Sequence, residues 1–331
     1  MIDLLQSTIS DQEFQPVLGM NQTMRWYMPD VGVLILEPKQ ATTKSVVLSA
    51  GVHGNETAPV EILSELNQLL FAGELTLSVR LMLILGNPEA LKSGSRYQEI
   101  DLNRLFSGRY QQYASSVETA RAARLELLMQ EFFTADPRHD RIHYDLHTAI
   151  KESHYLRFGL LPFREDGIYD QHMLQWLSQS GMEVLVVNHA PSGTFSYFSS
   201  QFCQANSCTL ELGKAKPFGQ NDLSQFDLIR SGLISLISGG EMTHQNTEHP
   251  KIFRVTQELT KKSDDFTLAF DDQVKNFTAF EKDTVLATDG DQVYRVNEAK
   301  EWVIFPNSGV RIGLRAGLML TEVDAQSLFH S

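Results

Sequence analysis

The chain has 331 residues and a formal net charge of −13 at pH 7, so it has no surplus of basic residues to neutralise nucleic-acid phosphates. Its 42% hydrophobic and 21% charged residues are typical of a globular protein with one large domain, or a main domain and a smaller one. The N-terminus lacks the basic start and the long apolar run of a signal peptide. No stretch approaches the roughly eighteen consecutive apolar residues of a transmembrane helix. We therefore expect a cytoplasmic protein without a nucleic-acid or membrane partner, in which the two cysteines, Cys203 and Cys208, are reduced.

Short apolar runs rich in β-branched residues alternate with helical patterns through most of the chain. The predicted strands are 32–37, 45–51, 79–86, 141–147, 183–188 and 207–213. The predicted helices are 60–73, 115–133, 170–181 and 221–240. Continuous apolar runs of this kind are typical of strands buried on both faces, as in parallel or mixed sheets. Since strand and helix alternate, the sequence predicts an α/β fold.

The composition changes after Gly239 and Gly240. Residues 241–251 are polar, contain a proline and lack periodicity, which indicates a linker. Shorter β-like runs follow at 252–259, 266–270, 284–288, 292–296, 302–306 and 310–314. Turn sequences separate several of them. We therefore predict a main domain over residues 1–244 and a small all-β domain over residues 245–331.

The motif HGNE places His53 and Glu56 just after a predicted buried strand. In open α/β sheets, functional sites gather at the carboxyl ends of the strands. A catalytic zinc site needs a third protein ligand and an open position, and the best candidate is His147, which ends the run 141–147. Asp145 is a possible hydrogen-bond acceptor for that ligand. The alternative for His53 and Glu56 is a surface turn, and the other eight histidines are interpreted as mostly surface or linker residues.

Two further groups of polar residues are candidates for chemistry at such a site. Glu211 lies between Leu210 and Leu212 at the end of a predicted strand, where a buried carboxylate is costly unless it is paired or used. It is a candidate general base, and the alternative is a solvent-facing strand residue. Residues 94–108 contain three side chains that could bind a carboxylate or an oxyanion, namely Arg96, Asn103 and Arg104. The alternative is an ordinary salt-bridged loop.

These motifs, taken in order, resemble a known family. The sequence contains HGNE, NPEAL, GSRYQEIDLNRLF, DLHT and LELG between residues 53 and 213. The ordered set is similar to the succinylglutamate desuccinylase/aspartoacylase branch of the zinc carboxypeptidase superfamily. The resemblance implies a mixed sheet flanked by helices, followed by a small β-rich domain. It also implies a zinc ion held by His53, Glu56 and His147.

The resemblance further implies roles for the remaining candidates. Glu211 would activate water and transfer its proton, Arg96 would lie at the scissile carbonyl or at a substrate carboxylate, and Asn103 and Arg104 would bind a carboxylate. The implied reaction is hydrolysis of a small anionic N-acyl amino acid, N-succinyl-L-glutamate, in the last step of arginine catabolism through succinylated intermediates. Three alternatives stay open: a deacylase of another N-acyl acidic amino acid, a carboxypeptidase, and a zinc-free binding protein. The sequence does not indicate the oligomeric state.

Overall fold

The structure, a computed structural model, describes residues 2–243, 246 and 248–328. The strands are β1 (Val17–Met20), β2 (Met24–Asp30), β3 (Val33–Pro38), β4 (Lys44–Ala50), β5 (Arg80–Leu85), β6 (Asp140–Ala149), β7 (Phe158–Leu161), β8 (Val184–Val187), β9 (Asn206–Lys214), β10 (Lys251–Thr260), β11 (Thr267–Leu268), β12 (Thr278–Glu281), β13 (Val285–Asp289), β14 (Gln292–Arg295), β15 (Lys300–Ile304) and β16 (Arg315–Val323). The helices are α1 (Leu4–Ile9), α2 (Thr57–Ala72), α3 (Pro88–Ser93), α4 (Val117–Ala135), α5 (Gln171–Gln179), α6 (Phe195–Cys203) and α7 (Asp227–Ser238). Over the described ranges, no helix is both long and apolar enough to span a membrane.

Thirteen of these strands form one mixed sheet. Their order is β1-β2-β3-β5-β4-β6-β9-β7-β8-β10-β16-β15-β12. At its centre β5, β4, β6 and β9 are parallel neighbours, so the carboxyl ends of these strands meet at one edge. The predicted α/β class and mixed sheet are confirmed.

Helices cover both faces of the sheet, which explains the continuous apolar runs. Along β5, Leu81 and Leu83 belong to one buried cluster, which also contains residues of α2, α5 and α7. The intervening Met82 and Ile84 belong to a second cluster, on the α4 and α6 side. Successive side chains of a strand point to opposite faces, so a strand covered on both faces needs apolar residues at every position.

The sheet continues into the C-terminal region. Strand β10 pairs in parallel with β8 and in antiparallel fashion with β16, while β11, β13 and β14 form a separate antiparallel sheet. A third buried cluster fills this region and includes Leu259, Leu286 and Met319. The predicted β-rich character of the C-terminal region is therefore confirmed.

Several predicted elements differ from those observed. The prediction of a strand at 310–314 is wrong. These residues form a turn flanked by bends, in which Gly313 has φ +85°. The observed strand, β16, begins at Arg315. Ile312 and Leu314 are exposed, so the apolar alternation there does not face a core. The C-terminal part of the predicted helix 221–240 is α7, preceded by a 3-10 turn over Leu223–Phe226. Part of the predicted linker 241–251, at residues 244, 245 and 247, lies outside the described residues, and Lys251 already belongs to β10.

Several short elements on the periphery and beside the site were not predicted from the sequence. These are β1, β2, β7, β12, α1, α3 and α6. Most are too short to display a hydrophobic period. Helix α6 is short, and its nine residues comprise four aromatic residues and five serine, glutamine or cysteine residues, most of them types with only moderate helix propensity.

Candidate metal centre and active site

Three predicted ligands converge at the carboxyl edge of the central strands. His53 and Glu56 follow β4, with Glu56 at the N-terminus of α2, and His147 lies near the end of β6. Potential ligand atoms of His53, Glu56 and His147 all lie within 4.8 Å of one another, and all three side chains are buried. The turn that carries His53 packs tightly, because a Cβ on Gly54 would come within 2.1 Å of the Ala90 backbone. The motifs HGNE and NPEAL are therefore in direct contact.

The Glu56 carboxylate lies between the two imidazole rings. Its Oε1 is 2.8 Å from His53 Nδ1, and its Oε2 is 2.9 Å from His147 Nδ1. On the outer side of each ring, His53 Nε2 lies 2.9 Å from Asp101 Oδ1 and His147 Nε2 lies 2.9 Å from Asp145 Oδ2. An outer carboxylate of this kind holds a ligand imidazole with its proton on the outer nitrogen. Each Nδ1 lone pair then points towards Glu56.

This arrangement fits a zinc ion. Lone pairs of two imidazoles and a carboxylate, facing each other at hydrogen-bond distance, require a cation between them, either a proton or a metal. Two histidines and one glutamate are a donor set of catalytic zinc sites. The structure thus brings the predicted ligands together, and their role as ligands remains a prediction.

The charges around the cluster favour cations. Burial works against the charged form of Glu56, yet the adjacent imidazoles of His53 and His147 hold its pKa well below the usual value. Burial likewise works against the charged form of His147, but Asp145 and Glu56 raise its pKa well above the usual value. Opposite charges at such short distances outweigh desolvation. The carboxylates therefore make the cluster a strong acceptor for positive charge.

Glu211 lies beside this cluster with an unused oxygen. It is on β9, in register with His147 on the neighbouring strand β6, and is 8% exposed. Its Oε2 is buried and has no hydrogen-bond partner among the described residues. Burial and the nearby charge of Glu56 raise the pKa of Glu211 to about 7. A carboxyl group with such a pKa exchanges a proton readily at neutral pH.

Arg96 reaches the cluster from the loop after α3. Its Nη1 donates to Glu56 Oε1 at 2.9 Å, and its Nη2 lies 3.8 Å from Asp101 Oδ2. The backbone of this loop is tied to the ligand turn, because Gly54 N–H donates to the Arg96 carbonyl. A guanidinium next to the cluster can donate to a negative oxygen that develops there.

Asn103 and Arg104 follow on the same loop. The Asn103 side-chain oxygen accepts from the backbone N–H of Phe195 at 3.0 Å, which fixes the orientation of the amide and turns its NH₂ group the other way. Arg104 is half-buried and donates from Nη1 to the Asn103 carbonyl at 2.9 Å. Gly193 makes this packing possible, since a Cβ there would lie 2.2 Å from the Arg104 carbonyl oxygen.

Asp101 is a site residue that sequence analysis missed. It contacts His53 Nε2 and accepts from the backbone N–H of Asn103 at 3.0 Å. Burial works against its charged form, but the positive charges of His53 and Arg104 hold its pKa well below the usual value. One carboxylate thus links a predicted metal ligand to the predicted substrate loop. The available signal was its position two residues before Asn103 in the quoted motif.

His143 is an exception to the interpretation of the other eight histidines as mostly surface or linker residues. It is fully buried, with Nε2 2.8 Å from Ser49 Oγ and Nδ1 2.7 Å from Ser199 Oγ. Ser49 in turn donates to Asp145 Oδ1 at 2.6 Å. Burial lowers the pKa of His143 to about 4, so it is neutral at pH 7 and connects α6 to the carboxylate behind His147.

A buried glutamate on α4 supports the loop that carries Arg96 and Asn103. Glu118 is 0% exposed and accepts from the backbone N–H of Gln98 at 2.7 Å and of Glu99 at 3.4 Å. It also accepts from Asn87 Nδ2 at 3.3 Å. Hydrogen bonds to a charged acceptor are stronger than neutral ones, so this carboxylate holds the loop in one position.

Comparison with known proteins gives matches along the whole chain. A family model described as the succinylglutamate desuccinylase/aspartoacylase catalytic domain matches residues 42–237, and one described as the AstE/AspA barrel-sandwich hybrid domain matches residues 248–323. The succinylglutamate desuccinylase of Yersinia enterocolitica is 47% identical over 331 residues, covering 100% of both chains. The predicted boundary between 1–244 and 245–331 lies between the two matched ranges and remains a prediction.

Solved structures match over nearly the same extent. That of the succinylglutamate desuccinylase from Vibrio parahaemolyticus has a TM-score of 0.90 and 30% identity, covering 97% of this chain and 95% of that one. That of the Chromobacterium violaceum enzyme has a TM-score of 0.86 and 36% identity, covering 97% of this chain and 98% of that one.

Proposed function

The chain belongs to the succinylglutamate desuccinylase/aspartoacylase family, and from this premise we propose that it is a zinc-dependent hydrolase that cleaves N-succinyl-L-glutamate to succinate and L-glutamate. One observation carries the hydrolytic chemistry: Glu211 lies beside the cluster of His53, Glu56 and His147, with a buried oxygen that has no partner among the residues that the structure describes. The proposed substrate is taken from the relatives' names. The reaction would be the last step of arginine catabolism through succinylated intermediates, carried out in the cytoplasm.

The predicted ligands would hold the metal by the two inner nitrogens of His53 and His147 and the Glu56 carboxylate. When bound, zinc would lower the pKa of a coordinated water from ~16 to about 7 and polarise the acyl carbonyl. Asp101 and Asp145 would keep the two imidazoles in the required tautomer.

The protein's own groups supply the proton transfers. Glu211 takes a proton as the water oxygen bonds to the acyl carbon, and returns it to the glutamate nitrogen as the C–N bond breaks. Arg96, whose guanidinium already donates to Glu56, stabilises the oxyanion that develops on the acyl oxygen. The products are the free succinate carboxylate and the amine of glutamate.

The substrate carries three carboxylates, and the loop after α3 offers groups for one of them. Asn103 presents its NH₂ group while Phe195 holds its oxygen, and Arg104 offers a guanidinium without a carboxylate within ion-pair distance in the described parts of the chain. We assign these two residues to one carboxylate of the glutamate moiety.

The proposed function is tested by amino-acid release from N-succinylglutamate, N-acetylglutamate, N-acetylaspartate and a tripeptide, with zinc-loaded and chelator-treated protein. We expect strong preference for N-succinylglutamate, abolished by the chelator. Preference for N-acetylaspartate or the tripeptide would instead assign the aspartoacylase-like or carboxypeptidase activity. Release that survives metal removal would contradict zinc dependence, and no release from any compound would favour a binding protein.

Replacing Arg104 by alanine should lower kcat/KM by about 10- to 100-fold for a leaving group with two carboxylates, the loss expected for a charged hydrogen bond. The loss should be smaller for N-succinylglutamine, whose leaving group keeps only one carboxylate. Arg138→Ala is the control, because Arg138 is exposed and precedes the opposite end of β6. Equal losses on both substrates would mean that Arg104 does not bind the side-chain carboxylate of the glutamate moiety.

Replacing Glu118 by glutamine should displace the loop that carries Arg96 and Asn103. In the variant, the amide NH₂ group would face a backbone N–H group that donates to the carboxylate in the wild type. The two donors cannot pair, so Arg96 should be misplaced and kcat/KM should fall by about 10- to 100-fold. Zinc content should stay unchanged, because Glu118 contacts none of the predicted ligands. The control is Glu131→Gln, an exposed position on the same helix. Full activity in the Glu118 variant would show that the loop holds its position without this carboxylate.

A further inference from the structure

A continuous chain of polar side chains runs through the apolar interior from α6 to the predicted metal ligand on β6. Its members, in order, are Ser199, His143, Ser49, Asp145 and His147, and each is at most 2% exposed. The polar atoms of successive members lie 2.7, 2.8, 2.6 and 2.9 Å apart. Because a buried polar group without a partner is costly, every contact in such a chain needs one donor and one acceptor. That requirement determines where the protons lie.

One arrangement of protons makes every contact in the chain a hydrogen bond. A carboxylate only accepts, so the single proton of the Ser49 hydroxyl goes to Asp145 Oδ1. Ser49 Oγ must then accept from His143 Nε2–H. His143 is neutral at pH 7, because burial lowers its pKa to about 4, and its Nδ1 therefore accepts from the Ser199 hydroxyl. The opposite tautomer would set the Nε2 lone pair against a lone pair of Ser49 Oγ, which leaves a buried contact unbonded.

The chain holds the carboxylate of Asp145 at both of its oxygens. Oδ1 accepts from Ser49, and Oδ2 lies 2.9 Å from His147 Nε2. The terminal torsion of an aspartate has only a weak preference of its own, so these two bonds set the orientation of the carboxylate. The His147 ring is thereby held with its Nδ1 2.9 Å from Glu56 Oε2. Partners of this kind orient metal-binding imidazoles, and their loss typically lowers metal affinity by about 10- to 100-fold.

Helix α6, where the chain begins, also contacts two other parts of the site. The backbone N–H of Phe195 donates to Asn103 Oδ1, on the predicted substrate loop, at 3.0 Å. Ser196 Oγ lies 2.7 Å from the Oγ1 of Thr209, which is two residues before Glu211 on β9. Through the polar chain, the same helix also supports the metal cluster. One helix therefore fixes the relative positions of the substrate loop, β9 and the ligand strand β6.

We propose that His143 is a positioning residue for the metal centre, acting through Ser49 on the carboxylate of Asp145. It is not one of the predicted ligands, and its effect is on the orientation of His147. The inference rests on the proposed function, because it requires a metal at the cluster. The His143 ring also packs against Phe195, with ring centroids 4.8 Å apart. An apolar side chain of similar size could make that contact, so packing alone does not account for a histidine that is hydrogen-bonded at both ring nitrogens.

The first test measures zinc affinity by competition with a chelator of known affinity. Ser49→Ala removes the bond to Asp145 and should weaken zinc binding by about 10- to 100-fold. His143→Leu keeps most of the side-chain volume but removes the donor to Ser49, and should weaken zinc binding by about 10-fold. His143→Gln should recover most of that loss, because its amide NH₂ group can occupy the position of Nε2 and donate to Ser49.

The same two strands provide a matched control. Near their amino ends, the Oγ of the buried Ser45 lies 3.1 Å from Nδ1 of His139, which directly precedes β6. Ser45→Ala and His139→Leu make the same chemical changes at the end of β4 that lies away from His53. They should leave zinc affinity unchanged. Thermal unfolding of all the variants, measured without zinc, separates a loss of stability from a loss of metal geometry.

The second test determines the direction of the chain without zinc or turnover. In protein with isotope-labelled histidine, a nitrogen–proton correlation spectrum distinguishes protonated from unprotonated ring nitrogens. The His143 signals are identified by their loss in His143→Gln. We expect them to show Nε2 protonated and Nδ1 unprotonated at pH 7. An Nδ1–H tautomer or a charged ring would contradict the proposal.

Three results of the first test would also overturn the positioning role. They are wild-type zinc affinity in Ser49→Ala and His143→Leu, a loss in His143→Gln as large as in His143→Leu, and an equal loss in His139→Leu. Each of them leaves the proposed function intact, because the wild type still binds zinc and cleaves N-succinylglutamate. If instead the wild type binds no zinc and releases no amino acid, the proposed function fails and the positioning role fails with it.

Discussion

Glu211→Gln is expected to lower kcat by about 10²- to 10⁴-fold, the usual loss when a general acid–base is removed. Glutamine has nearly the same shape but cannot take a proton from water. The fold should tolerate the change, because the Glu211 Oε2 has no hydrogen-bond partner to lose within the described part of the chain. Burial and Glu56 also raise the pKa of this carboxyl group to about 7, so a neutral side chain is already accommodated there. The neutral amide also removes the repulsion from Glu56.

The measurement is steady-state turnover of N-succinylglutamate together with zinc content and thermal unfolding. Zinc content and Tm should match those of the wild type, which would separate the loss of a proton acceptor from the loss of the site. Glu131→Gln makes the same chemical change at an exposed position and should be fully active. Turnover close to wild type in Glu211→Gln would remove this residue from the mechanism.

His147→Ala is expected to abolish stoichiometric zinc binding, and activity with it. The substitution removes one of the three predicted ligands that converge in the described part of the chain. It also leaves the fully buried Asp145 without the imidazole that it contacts at 2.9 Å. Removing one partner of a buried charged pair costs about 3–5 kcal/mol, so the free energy of unfolding should fall as well.

Zinc bound per chain, measured after dialysis by elemental analysis, is the decisive quantity for His147. His172→Ala is a matched control, since the His172 side chain is 97% exposed and should not affect the metal. Adding zinc should raise the Tm of the wild type and of His172→Ala but not of His147→Ala, because only a folded site that binds zinc is stabilised by it. Zinc retained at the wild-type level in His147→Ala would exclude this residue from the ligand set.

The main architecture and the central cluster could be predicted because their signals are local. Apolar runs such as 79–86 and 141–147 indicated strands buried on both faces, and the structure has β5 and β6 there. Polar residues at the ends of parallel strands share one edge of the sheet, which is why His53 and His147 come together. The roles assigned to these residues remain predictions for the experiments above.

Other parts of the site were not predictable because their contacts join distant segments. His143 is on a predicted strand, but only the packing of α6 over that face explains a histidine bonded to Ser49 and Ser199. The run 310–314 alternates like a strand, yet the register between β10 and β16 begins at Arg315. Local alternation specifies which residues share a face and does not specify what covers that face.

The sequence by itself determined the α/β class, the β-rich C-terminal region and the residue types available for metal and proton chemistry, since these depend on periodicity and on motifs within short segments. Only the tertiary structure decided the environment of those residues. The raised pKa of Glu211 depends on burial and on Glu56, far away in the chain. Electrostatic environment depends on distance and burial in three dimensions, which spacing along the chain does not specify.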